Sequence, residues 1–229
     1  MKNSMSLEEV TNLVKRVFNV ILNSSDLNDI IDLLIKEKEL AANKINELKF
    51  PRISFHLTHN DIFELKSKNY INEDYKFILN PKDLENESTL TKLLYSIVWK
   101  NGDLGKEGHI LKGIEGVKKD DDNALVFYQF GKYIGDVHKK EPIIDQHTLR
   151  AYGIYLCLTN QISRIDNGGK QIMDIDYYRK LSLTKKSEIP LIEDYKKFIR
   201  SHFLYTENDF VYSLDMILFA LGKAIKLSK

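Results

Sequence analysis

Apolar residues return every three or four positions along most of this chain, and that habit leaves few folds open to it. Val10, Leu13, Val14, Val17, Phe18, Ile21 and Leu22 keep a helical period, which lines one face of a helix with side chains that must be covered. Ser6-Leu7-Glu8-Glu9 precedes them, a capping box in which hydroxyl and carboxylate satisfy each other's orphan backbone donors. Ser24-Ser25-Asp26 restarts the pattern with Leu27, Ile30, Ile31, Leu34 and Ile35, and this second helix is expected to run to about Leu48, before Pro51 ends it.

Residues 50–87 are less regular. Ile53-Ser54-Phe55-His56-Leu57 alternates like a very short strand, Thr58 opens a short helix through Leu65, and Asn80-Pro81-Lys82-Asp83 marks a turn. Ser88 or Thr89 then caps an apolar helix from Leu90 to Trp99, which stops at Asn101-Gly102-Asp103. Further helices are expected over roughly 103–114 and 121–134, from Asp145 to about Thr159, over Ile189–Phe203 and over Phe210–Leu227, with a flexible loop at Asp166-Asn167-Gly168-Gly169-Lys170. The expected fold is all-α, with strand-like pieces incidental. Three segments follow: an N-terminal helical part (1–87), a core (88–165) and C-terminal helices (166–229) that pack back on the N-terminal part.

Charge excludes some functions. Lys and Arg number 34 against 33 Asp and Glu, a formal net charge of +1, so no global basic field announces a nucleic-acid partner and any such site is a local patch. Cys157, the single cysteine, has no partner for a disulfide or a thiolate metal site and reads as a buried structural thiol. The six histidines show no metal-ligand spacing and no phosphate-binding loop of the P-loop or Rossmann kind appears, so no metal and no nucleotide cofactor are expected. The first residues offer no uninterrupted apolar run for a signal peptide or membrane span, so a soluble, cytoplasmic protein is expected.

Three places can carry chemistry. In Pro142-Ile143-Ile144-Asp145-Gln146-His147-Thr148-Leu149-Arg150, two apolar residues deliver a carboxylate to a helix start, with Leu149 placed to staple back on Ile144. Backbone donors and the helix dipole favour the charged form there, so Asp145 can act as a base or stabilise a cation; the structural alternative is a cap and nothing more. At the end of the apolar helix, Trp99 can stack on a base, Lys100 can meet a phosphate and Asn101 can address a base edge. The alternative is an ordinary helix stop with Trp99 in the core. Gly116-Val117-Lys118-Lys119 is a glycine turn whose amides and lysines can grip a phosphate, although Asp120-Asp121-Asp122 follows at once.

Taken in order, these segments resemble the core of the helix-hairpin-helix DNA glycosylase superfamily. Leu93-Leu94-Tyr95-Ser96-Ile97-Val98-Trp99-Lys100-Asn101 resembles the helix that ends in a minor-groove probe, with Asn101 as the inserted amide. Gly116-Val117-Lys118-Lys119 resembles the hairpin that holds the DNA backbone, Phe130-Gly131 the end of the next helix, and Ile144-Asp145-Gln146-His147 the catalytic segment. The resemblance covers about residues 88–160. It implies two helical parts with a cleft between them, a flipped base read in that cleft, and hydrolysis of its N-glycosidic bond. Asp145 would be catalytic, and Trp99, Lys100, Asn101, Gly116, Lys118, Lys119 and His147 would contact DNA. Lys118 replaces the family's second hairpin glycine, and Asp120 stands where strand-cleaving members carry a lysine nucleophile. The resemblance therefore implies attack by water rather than by the chain. The alternative is a non-catalytic helical module that keeps the fold and binds nucleic acid or another protein.

Overall fold

The computed structural model describes residues 4–78, 83–117, 125–138, 140–161, 164–165, 171–172, 174–182, 189–202 and 209–227. Among them are eleven α-helices: α1 (Leu7–Asn23), α2 (Leu27–Lys36), α3 (Lys38–Ala41), α4 (His59–Ser67), α5 (Thr89–Lys100), α6 (Glu107–Glu115), α7 (Leu125–Gly135), α8 (Gln146–Leu158), α9 (Ile175–Arg179), α10 (Ile189–His202) and α11 (Phe210–Ala224). A short 3-10 turn spans Asp83–Asn86. One antiparallel pair of two-residue strands, β1 (Arg164–Ile165) and β2 (Gln171–Ile172), is the only sheet among the described residues. The fold is all-α, as the periodicity requires. No described helix is long and apolar enough to cross a membrane.

The chain forms two compact units. One contains residues 1–52 and 138–229, and the other is the continuous stretch 53–137. In the discontinuous unit α8 is the centre, contacted by α1, α9, α10 and α11. Its Leu149, Ala151, Tyr152, Ile154, Leu156 and Cys157 are buried, each larger aliphatic contributing about 1.5–3 kcal/mol by leaving water. Burial pushes the Cys157 thiol up to about 11, which fits an inert structural cysteine. Phe18 of α1 stacks on Tyr155 at 4.1 Å, and Phe198 of α10 tilts against both rings. α11 covers another side with Leu214, Ile217, Leu218 and Leu221, and also packs on α2 and α3. The two helices approach so closely that a Cβ on Gly222 would lie 1.8 Å from the His147 carbonyl oxygen.

The continuous unit rests on the pairing of α6 with α7. Cβ atoms on Gly113 and Gly131 would each lie 2.1 Å from a carbonyl oxygen of the opposite helix, Tyr128 and Ile110 respectively. Ile62 of α4, Ile71, Tyr75 and Leu111 of α6 form a small core beside this pair. Tyr75 takes a left-handed φ of 65°, a strained choice for an aromatic residue. Its hydroxyl donates to Glu115, and the Lys66 ammonium lies 4.3 Å from its ring centroid, which together hold it there.

Several expectations are corrected. The second helix stops at Glu37, whose carboxylate is held by Arg16 through bonds of 3.2 and 3.0 Å; a short α3 follows, and no long helix reaches Leu48. Residues 53–57 form no strand, and the Leu57 N–H donates to the Ile134 carbonyl. Phe130-Gly131 lies inside α7, not at its end, because Gly131 is the point where α6 passes. The expected loop at 166–170 lies outside the described residues.

Two substitutions separate close approach from backbone conformation. Gly131→Ala forces apart two backbones and is expected to destabilise the 53–137 unit by about 2–4 kcal/mol. Gly116, with φ 67° and open space around it, needs glycine only for its left-handed conformation; Gly116→Ala should cost about 1–2 kcal/mol. Denaturant unfolding of the full chain, following protection of α6 and α7 amides, checks the order.

Candidate functional site around Asp145

The carboxylate of Asp145 sits where the sequence places it. Asp145 has extended backbone, caps α8, and accepts the His147 N–H at its Oδ1 at 2.6 Å. It is partly exposed, whereas Ile144 before it and Leu149 behind it are buried. The segment that leads to it is tied down from two helices. Glu141 pairs with Lys196 at 2.7 Å and with Arg200 at 3.1 Å, both from α10. The Ile143 N–H donates to Asp215 Oδ2 of α11 at 2.6 Å.

Behind Asp145 lies a polar cluster inside an apolar unit. Arg150 is only 1% exposed. Its guanidinium donates to the carbonyls of Gly222 and Leu181, each at 2.9 Å, and to His147 Nδ1 at 2.5 Å. Burial draws Arg150 down to about 10, against the pull of Asp145, so at neutral pH it remains a cation. An Arg can only donate, so His147 Nδ1 accepts and the ring proton sits on Nε2. Burial, and then the Arg150 charge, hold His147 below the usual imidazole range although Asp145 pulls the other way. A neutral ring, edge-on to Phe219 at 4.9 Å, is a buttress for Arg150.

Asp215 completes the cluster. It is buried, accepts the Tyr195 hydroxyl at 2.8 Å on Oδ1 and the Ile143 N–H on Oδ2. Both donors favour the anion, but burial outweighs them, Asp145 adds its repulsion, and Asp215 is pushed up to about 8. Two carboxyls near one helix start are thereby set apart in character. Asp145 is the partly exposed one, and Asp215 is a buried acid at neutral pH. Such a pair can accept a proton from water at Asp145, or stabilise a developing positive charge there.

The other candidate residues lie in the 53–137 unit. Trp99, 64% exposed, and exposed Lys100 end α5, and exposed Asn101 is its C-cap, its N–H donating to the Ile97 carbonyl at 3.1 Å. Trp99 is thus no core residue. Gly116 closes α6 as its C-cap in the left-handed conformation. Lys118 and Lys119, with the acidic run after them, lie outside the described residues. No group of three or more potential metal ligands occurs among the described residues. A groove of about 500 Å³ lies between α1 and α8, lined by Phe18, Leu22, Tyr155 and Leu158 among others; it opens at the far end of α8 from Asp145.

Comparison of the chain with protein-family models, with curated proteins and with solved structures finds no match. Sequence reasoning passed over Asp215 and Tyr195, and quoted Arg150 without giving it work. Asp215 did carry a signal, as the single carboxylate in Phe210–Ala224 next to the core position Leu214.

Asp215 sets a pH dependence of stability. A carboxyl that holds its proton more tightly when folded stabilises most below the ordinary aspartate value near 4, and withdraws that contribution as pH rises toward 8. Wild type should therefore lose stability over that window relative to Asp215→Asn. The difference in thermal midpoint between the two proteins should move by at least about 5 °C in favour of the variant. Melting curves from pH 4.5 to 8.5 measure it.

Proposed function

We propose that this protein binds DNA and hydrolyses the N-glycosidic bond of a damaged or modified base, with Asp145 directing the attacking water. The observation that carries this reading is the delivery of Asp145: a partly exposed carboxylate on a segment anchored to α10 and α11, beside the buried Arg150 cation, with Oδ1 spent on the helix cap and Oδ2 outside it. A plain cap does not call for that support. The exposed Trp99-Lys100-Asn101 tip and the left-handed Gly116 turn agree with a probe and a backbone grip in the order the resemblance requires.

In this reaction the bond between the base nitrogen and the sugar C1′ breaks as the base leaves with its electron pair. Water adds to C1′, and Asp145 takes its proton and stabilises the cationic sugar before that bond forms. The base nitrogen ends protonated, and the sugar ends as a hemiacetal. No lysine nucleophile is required, which fits Asp120 at the family's lysine position.

Asp145→Asn keeps a cap oxygen but loses the charge. It should reduce single-turnover base release at least about a hundredfold and leave the Kd for duplex DNA unchanged. Oligonucleotides containing uracil, hypoxanthine, 8-oxoguanine, an alkylated purine or a modified pyrimidine serve as probes. Wild-type release by Asp145→Asn would overturn the assignment.

A second reading, a non-catalytic binding module, is favoured by α5. That helix has no buried residue: Leu90, Leu93, Leu94, Ile97 and Trp99 all face solvent, with Lys92 and Lys100 as its only charges. Both DNA-binding versions expect Trp99→Ala to weaken binding at low salt by about tenfold, the scale of one lost stacking contact. A salt titration should show affinity falling steeply with ionic strength. Absence of binding at low salt leaves only a protein-interaction module.

A further inference from the structure

Resting on the reading of Asp145 as the group that directs water, we propose that Asp215 is its positioning residue: lodged between the Tyr195 hydroxyl and the Ile143 amide, the Asp215 carboxyl sets the backbone that carries Asp145 two residues later. The geometry is specific. Oδ2 takes the Ile143 N–H at 2.6 Å, Oδ1 takes the Tyr195 hydroxyl at 2.8 Å, and the residue is buried, with 5% of its surface exposed. The partners come from three places in the chain: α11 supplies the carboxyl, α10 the hydroxyl, and the segment before α8 the amide.

A buried carboxyl is a costly way to satisfy one amide and one hydroxyl. Taking a charge out of water among the apolar residues of α11 is strongly unfavourable, and the group responds by keeping its proton at neutral pH. Such departures from a well-packed apolar core concentrate where a chain trades stability for a site. The groups acting on Asp215 are Tyr195 from α10 and Asp145 from the segment entering α8; Asp145 in turn acts on Arg150 and His147 of α8. α2 and α3 also pack on α11, and their buried residues are the apolar Ile30, Leu33 and Leu40. Among the described residues Asp145 is the charge that competes with Asp215, and the two are linked both by the charge between them and by the backbone from Ile143 to Asp145.

The test reads position and activity separately, on the full chain. The His147 amide reports Asp145 directly, because it donates to Oδ1, and the Ile143 amide reports Asp215. In wild type the Ile143 amide shift should titrate near pH 8. Asp215→Leu should move the His147 amide signal and speed its hydrogen exchange. It should also cut single-turnover base release about a hundredfold, the cost of roughly an ångström of misplacement, with the Kd for duplex DNA unchanged. Asp215→Asn, whose carbonyl can still accept from Ile143 while the Tyr195 oxygen accepts from its amide, should restore both.

A His147 amide unchanged in Asp215→Leu overturns the positioning role whatever the activity. Should wild type release no base from any probe, the glycosylase reading fails, and the His147 amide alone still decides whether Asp215 positions Asp145. Should Asp215→Leu not fold, Tyr195→Phe decides. Loss of that hydroxyl frees one side of the Asp215 carboxyl and should speed hydrogen exchange at both the Ile143 and the His147 amides, and an unchanged His147 amide overturns the positioning role.

Discussion

Arg150 is a full positive charge sealed inside an apolar unit, and the arrangement around the start of α8 answers to it. A buried guanidinium needs acceptors for its donors; among the described residues Nη1 and Nη2 of Arg150 find them and Nε does not. The group takes carbonyls from Gly222 of α11 and from Leu181, after α9, and the ring nitrogen of His147. Those acceptors come within reach because α11 can lie against α8 at Gly222, where any side chain would meet the His147 carbonyl. The cation then supplies the field in which Asp145 sits, and Asp145 supplies the repulsion that helps to keep Asp215 protonated. Helix contact, buried charge and partly exposed carboxylate are thus one connected arrangement.

The two units solve the same packing problem in different ways. In the 53–137 unit, α6 and α7 meet backbone to backbone across Gly113 and Gly131, so their contact depends on what is missing from the side chains. In the other unit, α8 is surrounded and its neighbours interdigitate through rings: Phe18, Tyr152, Tyr155, Tyr195 and Phe198 form one aromatic cluster. Aromatic rings fix orientation as well as filling volume. That is consistent with the polar cluster lying in this unit.

Much of the helical architecture was legible in the residues, because local signals settle where a helix begins. Ser6, Asp26, Thr58, Ser88 and Asp145 all cap the helices their sequence context predicts. Where a helix stops was less legible when a tertiary contact decided it: Glu37 leaves helical geometry while held by Arg16, which lies on α1. Phe130-Gly131 misled in the opposite direction, since glycine there serves packing and not termination. For the site, the sequence located Asp145 from its cap and its apolar escort. Asp215 was visible only as the lone carboxylate of an apolar helix, and its bonds to Ile143 and Tyr195 were not legible because they join segments far apart in the chain.

The insertion of residues 53–137 between the two halves of the other unit has a consequence for the order in which the protein acquires shape. During synthesis the inserted unit is complete before most of its host has been made, and contiguous units can fold as they emerge. The host must wait for α11, whose residues supply the Gly222 carbonyl for Arg150 and the carboxyl of Asp215. Until then the apolar surfaces of α2, α3 and α8 lack that cover and Arg150 lacks that acceptor. Contacts this distant along the chain form slowly. The N-terminal end of α8 is therefore among the last parts of the host unit to mature, and a chain cut before α11 would hold a finished inserted unit and an α8 without its neighbours.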